Sequence, residues 1–322
     1  MAPGRTAVLA AVVLVFAGIV ISIGNAQENA APVKAVQLIG LIGVKQNAKG
    51  TLKVENGNLQ FVHGKAKSGV NAASIQDVVT GDDTQRSVGG TVGVISMAAP
   101  YGGGRFLSLF RKKIDTLTVQ YRDTDGGLHG AIFTMPVGAA NAIKTELVSE
   151  GAHTTTTGEP TTATASGKEQ NAPQSPERLS AKIKASAIQV EMIQSDEIKL
   201  PAEFQIALYE NLVHQIEKQG TFQRVYRDGD RTASSVADLV VLHSTVRGFK
   251  AGSERARQVT TVAGATSITV HCQFTSSDAK PLLERDVKGK VRFFGGNLKA
   301  TYDFAKKAAH AVRENFSAPE GK

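Results

Sequence analysis

Few residues in this chain have the types and spacing that chemistry needs. His271 and Cys272 are adjacent, a base beside a thiol, the pairing that activates a cysteine nucleophile. They lie in Ser267–Phe274, which reads as a β-strand, and neighbours in a strand point to opposite faces. The two side chains therefore cannot meet as a dyad. Cys272, the one cysteine of the chain, is expected to be an inert buried thiol. His243 lies in the strongest strand, Ala237–Val246, near Ser244 and Asp238 but without a carboxylate that converges on it, and reads as a structural histidine.

Metal and phosphate chemistry fare no better. Asp123-Thr124-Asp125-Gly126 and Asp228-Gly229-Asp230 offer oxygen ligands of the kind calcium takes. A calcium loop of the hand type needs a bidentate acid at its twelfth position, and counting from Asp123 that position is Thr134. Both stretches are read as turns, for which Asp and Gly are ordinary residues. Gly167-Lys168 is followed by Glu169 where a phosphate-binding loop needs Ser or Thr. The seven histidines are scattered, with no pair four residues apart on a helix, so a zinc site is not expected. Asn315-Phe316-Ser317 formally matches a glycosylation acceptor. Neither catalytic residue, cofactor nor metal is expected.

What remains are contact residues. Residues 88–110 are apolar and Gly-rich, with Arg105 as their one charge, and Arg111, Lys112 and Lys113 follow at once. Such a stretch is either buried structure or an element that dips into a bilayer above a basic foot. Arg255 and Arg257, with Glu254, fall in a loop between two long strands, the kind of place where binding resides on a rigid scaffold.

The elements that position these residues fall into two groups around residues 152–178. That stretch contains no Val, Ile, Leu, Phe or Tyr but seven Thr and three Pro, the composition of a solvated tether. The expected organisation is a leader over residues 1–26, a β-rich module over 32–150, a linker over 151–178 and an α/β module over 179–316. In the leader, Arg5 precedes the apolar run Ala7–Ile23, and Gly24-Asn25-Ala26 supplies the small residues of a signal-peptide cleavage site. No cysteine follows the run, so lipid attachment of the bacterial lipoprotein kind is not expected.

In the first module Gly50–Val54 and Leu59–Val62 alternate apolar and polar residues around Asn56-Gly57, a strong hairpin signal. Ala73–Val79 reads as a third strand, and Thr116–Tyr121 and Leu128–Met135 flank the turn Asp123–Gly127. Pro136 then opens a helix over Val137–Ser149 with Ala140, Ile143 and Leu147 on one face. The second module reads as a strand over 181–192, a helix from Pro201 to Gln219, strands at Phe222–Arg227, Ala237–Val246, Ser267–Phe274 and within Pro281–Phe294, and a final helix from Leu298 to Phe316. The first of these helices repeats Phe204, Leu208, Leu212 and Ile216, with Pro at its start and Gly220 past its end. The fold class expected is α+β: an antiparallel β-barrel-like module closed by a C-terminal helix, then a two-layer α/β sandwich with two helices.

Two resemblances rest on these residues. Gly50-x-Leu52-x-Val54, Leu59-x-Phe61 and Ser74-Ile75-x-x-Val78 resemble the opening strands of the pleckstrin-homology superfold, especially its GRAM-like branch, over about residues 42–150. That likeness implies a lipid- or protein-binding module but carries no ligand residue over. The second half is similar to a family of uncharacterised bacterial secreted and lipoprotein-type envelope domains. The residues behind that likeness are Gly220-x-Phe222-x-x-Val225, Ala237–Val240 running to Gly248-Phe249, Gly252-Ser253-x-x-Ala256-Arg257, and Gly264-Ala265 leading into Ile268-x-Val270. It implies an exported location and no particular activity. The turn Asp-x-x-Thr-Gly expected between Phe274 and Lys280 is absent.

Charge narrows the partners. The net charge is +8, but residues 32–150 carry 13 basic and 9 acidic side chains and residues 179–322 carry 21 and 16, without a long run of one sign. Nucleic-acid binders concentrate Lys and Arg on one face, so no nucleic acid is expected. The expected protein is exported to the periplasm or beyond and is not an enzyme. Its two tethered modules would bind an envelope protein or a lipid. The alternative is a peripheral lipid binder that uses residues 88–113.

Overall fold

Alternating burial dictates the first half of the chain. The computed structural model describes residues 31–81, 114–154, 181–252, 265–291 and 298–319. Seven strands form one antiparallel sheet: β1 (Val33–Ile39), β2 (Ala48–Glu55), β3 (Asn58–His63), β4 (Ala66–Asn71), β5 (Ile75–Thr80), β6 (Ile114–Arg122) and β7 (Leu128–Pro136). Their order is β4-β3-β2-β1-β7-β6-β5. Asn56 and Gly57 both take positive φ, 51° and 70°. A two-residue hairpin needs that backbone to match the twist of the strands it joins.

The sheet's shape follows from one short connection. β4 and β5 lie at opposite edges, yet only Ala72–Ser74 separate them. The sheet must curl until its edges approach. Val70 from one edge therefore shares a core with Ile75 and Val78 from the other, around Leu52, Phe61, Val119 and Phe133. No ladder joins β4 to β5, so the sheet is curled but open. This corrects the barrel closure expected from the strand count: the edges share side-chain contacts without backbone hydrogen bonds. Helix α1 (Ala139–Ser149) lays Ala140, Ile143 and Leu147 into the same core, the stripe visible in the sequence.

The second half carries β8 (Ile183–Lys184), β9 (Ala187–Val190), α2 (Ala202–Gln219), β10 (Arg224–Arg227), β11 (Leu239–Lys250), β12 (Thr266–Ser276), β13 (Pro281–Val291), α3 (Lys299–Asn315) and β14 (Phe316–Ser317). Five strands pair in the order β10-β9-β11-β12-β13, parallel through β11 and antiparallel beyond it. One face of this sheet offers Ile188, Val190, Leu242, Val270 and Phe274 to α2 and α3, which bring Phe204, Leu208, Leu212, Phe304 and Val312. Gly220, at φ 64°, takes the left-handed turn that stops α2. The single strand expected over 181–192 is two, because Ser186 leaves the ladder to donate its N–H to Asp238 Oδ2 at 2.9 Å.

The two halves pack against each other. Ile39 and Ile132 on the first sheet meet Ile206 and Ala207 on α2. That helix is buried on two opposite sides, one for each sheet. Residues 155–180 between the halves, and the leader over 1–26, lie outside the described residues.

Gln37 stands apart within the first core. It is fully buried on β1, and neither its Nε2 nor its Oε1 finds a hydrogen-bond partner. A buried unpartnered amide costs stability without return. Gln37→Leu is therefore expected to raise stability by about 1–2 kcal/mol in chemical denaturation. A loss of stability would show that the amide is bonded in solution.

Candidate functional site

The six contact residues expected from sequence, Arg105, Arg111, Lys112, Lys113, Arg255 and Arg257, lie outside the described residues. The reactive pair is inside them. Cys272 points into the second core, 1 % exposed, and burial pushes its thiol up to about 12. His271 is on the opposite face, with Nδ1 2.8 Å from Asp286 Oδ1. His243 meets neither Ser244 nor Asp238: its Nδ1 lies 2.5 Å from Glu191 Oε2 and its Nε2 3.2 Å from Thr275 Oγ1. Gln273 donates to Glu284 at 2.7 Å on the same open face. Glu191 thus supplies the converging carboxylate that was not expected for His243, whose other nitrogen meets the Thr275 hydroxyl, itself 6 % exposed; His271 and Gln273 pair with acids on the next strand. Among the described residues no group of three or more His, Cys, Asp or Glu side chains is placed to hold a metal. Among them, too, no helix is long and apolar enough to cross a membrane.

The structure instead brings together the two acidic turns that the sequence had singled out separately. β7 begins at Leu128, but its pairing with β1 ends at Ile132–Ile39, so the edge at Leu128–Gly130 has no neighbouring strand. The other half of the protein completes that edge. Leu128 N donates to Asp228 O at 2.9 Å. Arg227 Nη1 donates to Leu128 O at 3.0 Å, and Gly130 N donates to Glu210 Oε1 at 2.8 Å. The turns then interlock. Arg231 N donates to Asp125 O at 3.0 Å, Arg231 Nη2 to Thr124 O at 2.7 Å, and Arg122 Nη1 to both Gly126 O and Asp228 O. Three arginines thus sit where calcium would have been sought, and they bond the carbonyl oxygens of the two turns and of Leu128.

Side-chain size sets how close the halves come. A Cβ on Gly130 would lie 2.5 Å from Ile206 Cγ2 and 2.7 Å from its Cδ1. Only glycine lets α2 rest on β7 at this distance. Its N–H is then close enough for the Glu210 carboxylate.

A buried ion pair holds the centre. Arg227 forms a fork with Glu210, Nη1 to Oε1 at 2.8 Å and Nη2 to Oε2 at 3.0 Å, with the two side chains 16 % and 5 % exposed. Burial works against the guanidinium charge, but the Glu210 carboxylate outweighs it and holds Arg227 above its ordinary range. Burial likewise lifts the phenols of Tyr209 and Tyr121. Tyr209 Oη accepts from Asp228 N at 2.9 Å and its ring lies under Arg227. In the other half, His129 Nε2 is 2.9 Å from Asp123 Oδ2 and its ring stacks on Tyr121.

Sequence reasoning marked the turns but missed Glu210, Arg227, His129 and Gly130. A signal for the first was present. Glu203, Ile206, Ala207 and Glu210 recur at three- and four-residue steps on α2, a second stripe beside the apolar one. Its two carboxylates made it look solvated.

No protein-family model matches the chain, and no curated protein does either. Neither resemblance drawn from the sequence thus gains a family. Solved structures give distant likenesses. PelC from Paraburkholderia phytofirmans, a dodecamer, is 10% identical with a TM-score of 0.33, over 44% of this chain and 94% of that one. A "putative lipoprotein" from Caulobacter crescentus CB15 is 13% identical with a TM-score of 0.24, over 38% and 84%. A "putative neuraminyllactose-binding hemagglutinin homolog" from Helicobacter pylori is 10% identical with a TM-score of 0.23, over 43% and 88%. Scores this low transfer neither fold nor function.

Removing one member of the central pair strands the other. Arg227→Ala is expected to cost about 3–5 kcal/mol in denaturant titration, and joint replacement of Arg227 and Glu210 by Met and Leu to recover most of it. A loss in the double variant equal to the sum of the Arg227 and Glu210 single losses would mean the charges are not coupled.

Proposed function

We propose that this is a non-catalytic, exported protein of the bacterial cell envelope that binds a partner with its two halves held as one unit. The observation behind this reading is the junction itself. Backbone edge, turn and buried ion pair from both halves interlock, while the groups able to do chemistry are paired across a flat sheet or buried. Catalysis needs an accessible nucleophile within reach of a base: Cys272 is buried on the face opposite His271, and the Thr275 hydroxyl beside His243 is 6 % exposed. Export rests on the apolar leader with its small-residue cleavage site. An envelope protein fits as the partner, given the mild, dispersed positive charge.

A second reading, a lipid-surface contact through residues 88–113, draws support from one place. Ile114 and Val137, 36 % and 57 % exposed, lie at the same end of the sheet, where that stretch joins β6 and where Ile114 pairs with Pro136.

Three measurements test these readings. Cross-linked pull-down from the native envelope is expected to recover one saturable partner with the wild type, and to lose it when Gly130→Leu wedges the halves apart. Hydrolysis on an ester or glycan panel that vanishes on changing His243 or His271 would overturn the non-catalytic reading. Co-sedimentation with anionic vesicles that disappears on deleting residues 92–104 would favour the lipid surface instead.

A further inference from the structure

The junction contains an imidazole with one nitrogen satisfied and one bare. Asp123 Oδ1 accepts the N–H groups of Asp125 and Gly127 at 3.0 and 2.8 Å, leaving Oδ2 for His129 Nε2. A carboxylate only accepts, so Nε2 carries the proton of the neutral ring and Nδ1 is a lone pair. His129 is 6 % exposed, and its Nδ1 is buried with no hydrogen-bond partner. A second proton has one place to go, and there it would be a buried donor without an acceptor.

The residues on either side of His129 are the ones that bind the other half. Leu128 is tied to Arg227 and Asp228, and Gly130 to Glu210. The charged groups that act on the ring are Asp123 from the turn after β6, Arg227 from β10 and Glu210 from α2, and the Tyr121 ring stacks on it at 5.2 Å. Glu210 is already committed to Arg227, and Asp123 to its own turn. We propose that His129 is an acid-sensitive latch: proton uptake on its Nδ1 loosens the docking of the two halves. This goes beyond the binding role above and does not depend on who the partner is.

Burial first, then the Arg227 charge, holds this imidazole below its ordinary 6.5 while the halves are docked. On undocking, Arg227 departs and water reaches the ring, but Asp123 stays beside it on the same hairpin. The undocked ring therefore binds a proton more readily than the docked one. Well above the undocked ring's midpoint both states are neutral and docking has its full strength. As pH falls below that value the undocked state gains protons first, and docking weakens by up to about tenfold per pH unit until the docked ring itself protonates.

The test is hydrogen–deuterium exchange of the Leu128 and Gly130 amides in the full chain, corrected for the intrinsic pH dependence of exchange. Between pH 6.5 and 5.5 their protection is expected to fall severalfold in the wild type. It is expected to stay level in His129→Gln, which keeps an N–H for Asp123 but takes up no proton. Level protection in the wild type, or a parallel fall in the variant, would overturn the proposal. If His129→Gln does not fold, the NMR titration of the wild-type ring decides. A midpoint below 6.5 that coincides with the loss of amide protection supports the latch, and a midpoint at or above 6.5 rules it out.

Discussion

Helix α2 is buried on two opposite sides along most of its length, with His214, Glu217 and Lys218 left to water near its end, and the rest of the molecule follows from that. One side lies in the core of its own sheet through Phe204, Leu208, Leu212 and Ile216. The other meets the first sheet through Ile206 and Ala207, and it carries Glu210 into a place without solvent. A lone carboxylate there would cost several kcal/mol. Arg227 from β10 offsets that charge, and the Gly130 N–H occupies the carboxylate oxygen as well. The turn after β10 is thereby fixed against the turn before β7.

Buried ion pairs add little net stability, but they are strict about geometry. An apolar contact between Ile132 and Ile206 would tolerate sliding. The Arg227–Glu210 fork, with Arg227 also bonded to Leu128 O, does not. The apolar patch supplies attraction between the halves, and the polar network sets their register. Asn211 adds to this, donating to Thr301 Oγ1 on α3 while its own carbonyl faces Gln46 of the first half. A partner therefore meets a surface whose two parts keep a fixed separation, so binding at one does not have to re-order the other.

How much of this was legible depends on the range of the interactions. Local patterns were readable: the Asn56-Gly57 hairpin, the Ala140–Ile143–Leu147 stripe of α1, the Pro201 and Gly220 ends of α2, and the separation of His271 from Cys272 across a strand. β1 and β4 were not. β4 buries Val70 alone along its length, and β1 turns Gln37 inward where an apolar residue would have completed the alternation. The curl of the first sheet was suggested by its strands, but closure needed pairing between β4 and β5 that no residue pattern records. The junction was hidden for a different reason. Its residues lie 17 to more than 100 positions apart, and Glu210 and Arg227 have the look of ordinary surface charges until the fold buries them.

The unfinished edge of β7 bears on how the polypeptide behaves when it is divided. Leu128 and Gly130 have their peptide groups satisfied by atoms that come more than 75 residues later. A first half alone would present those groups, and the apolar Ile39–Ile132 patch, to bulk solvent. Such bare strand margins seek another chain. Cleavage within 155–180 does not make each fragment a finished unit, because each still carries the other's missing wall.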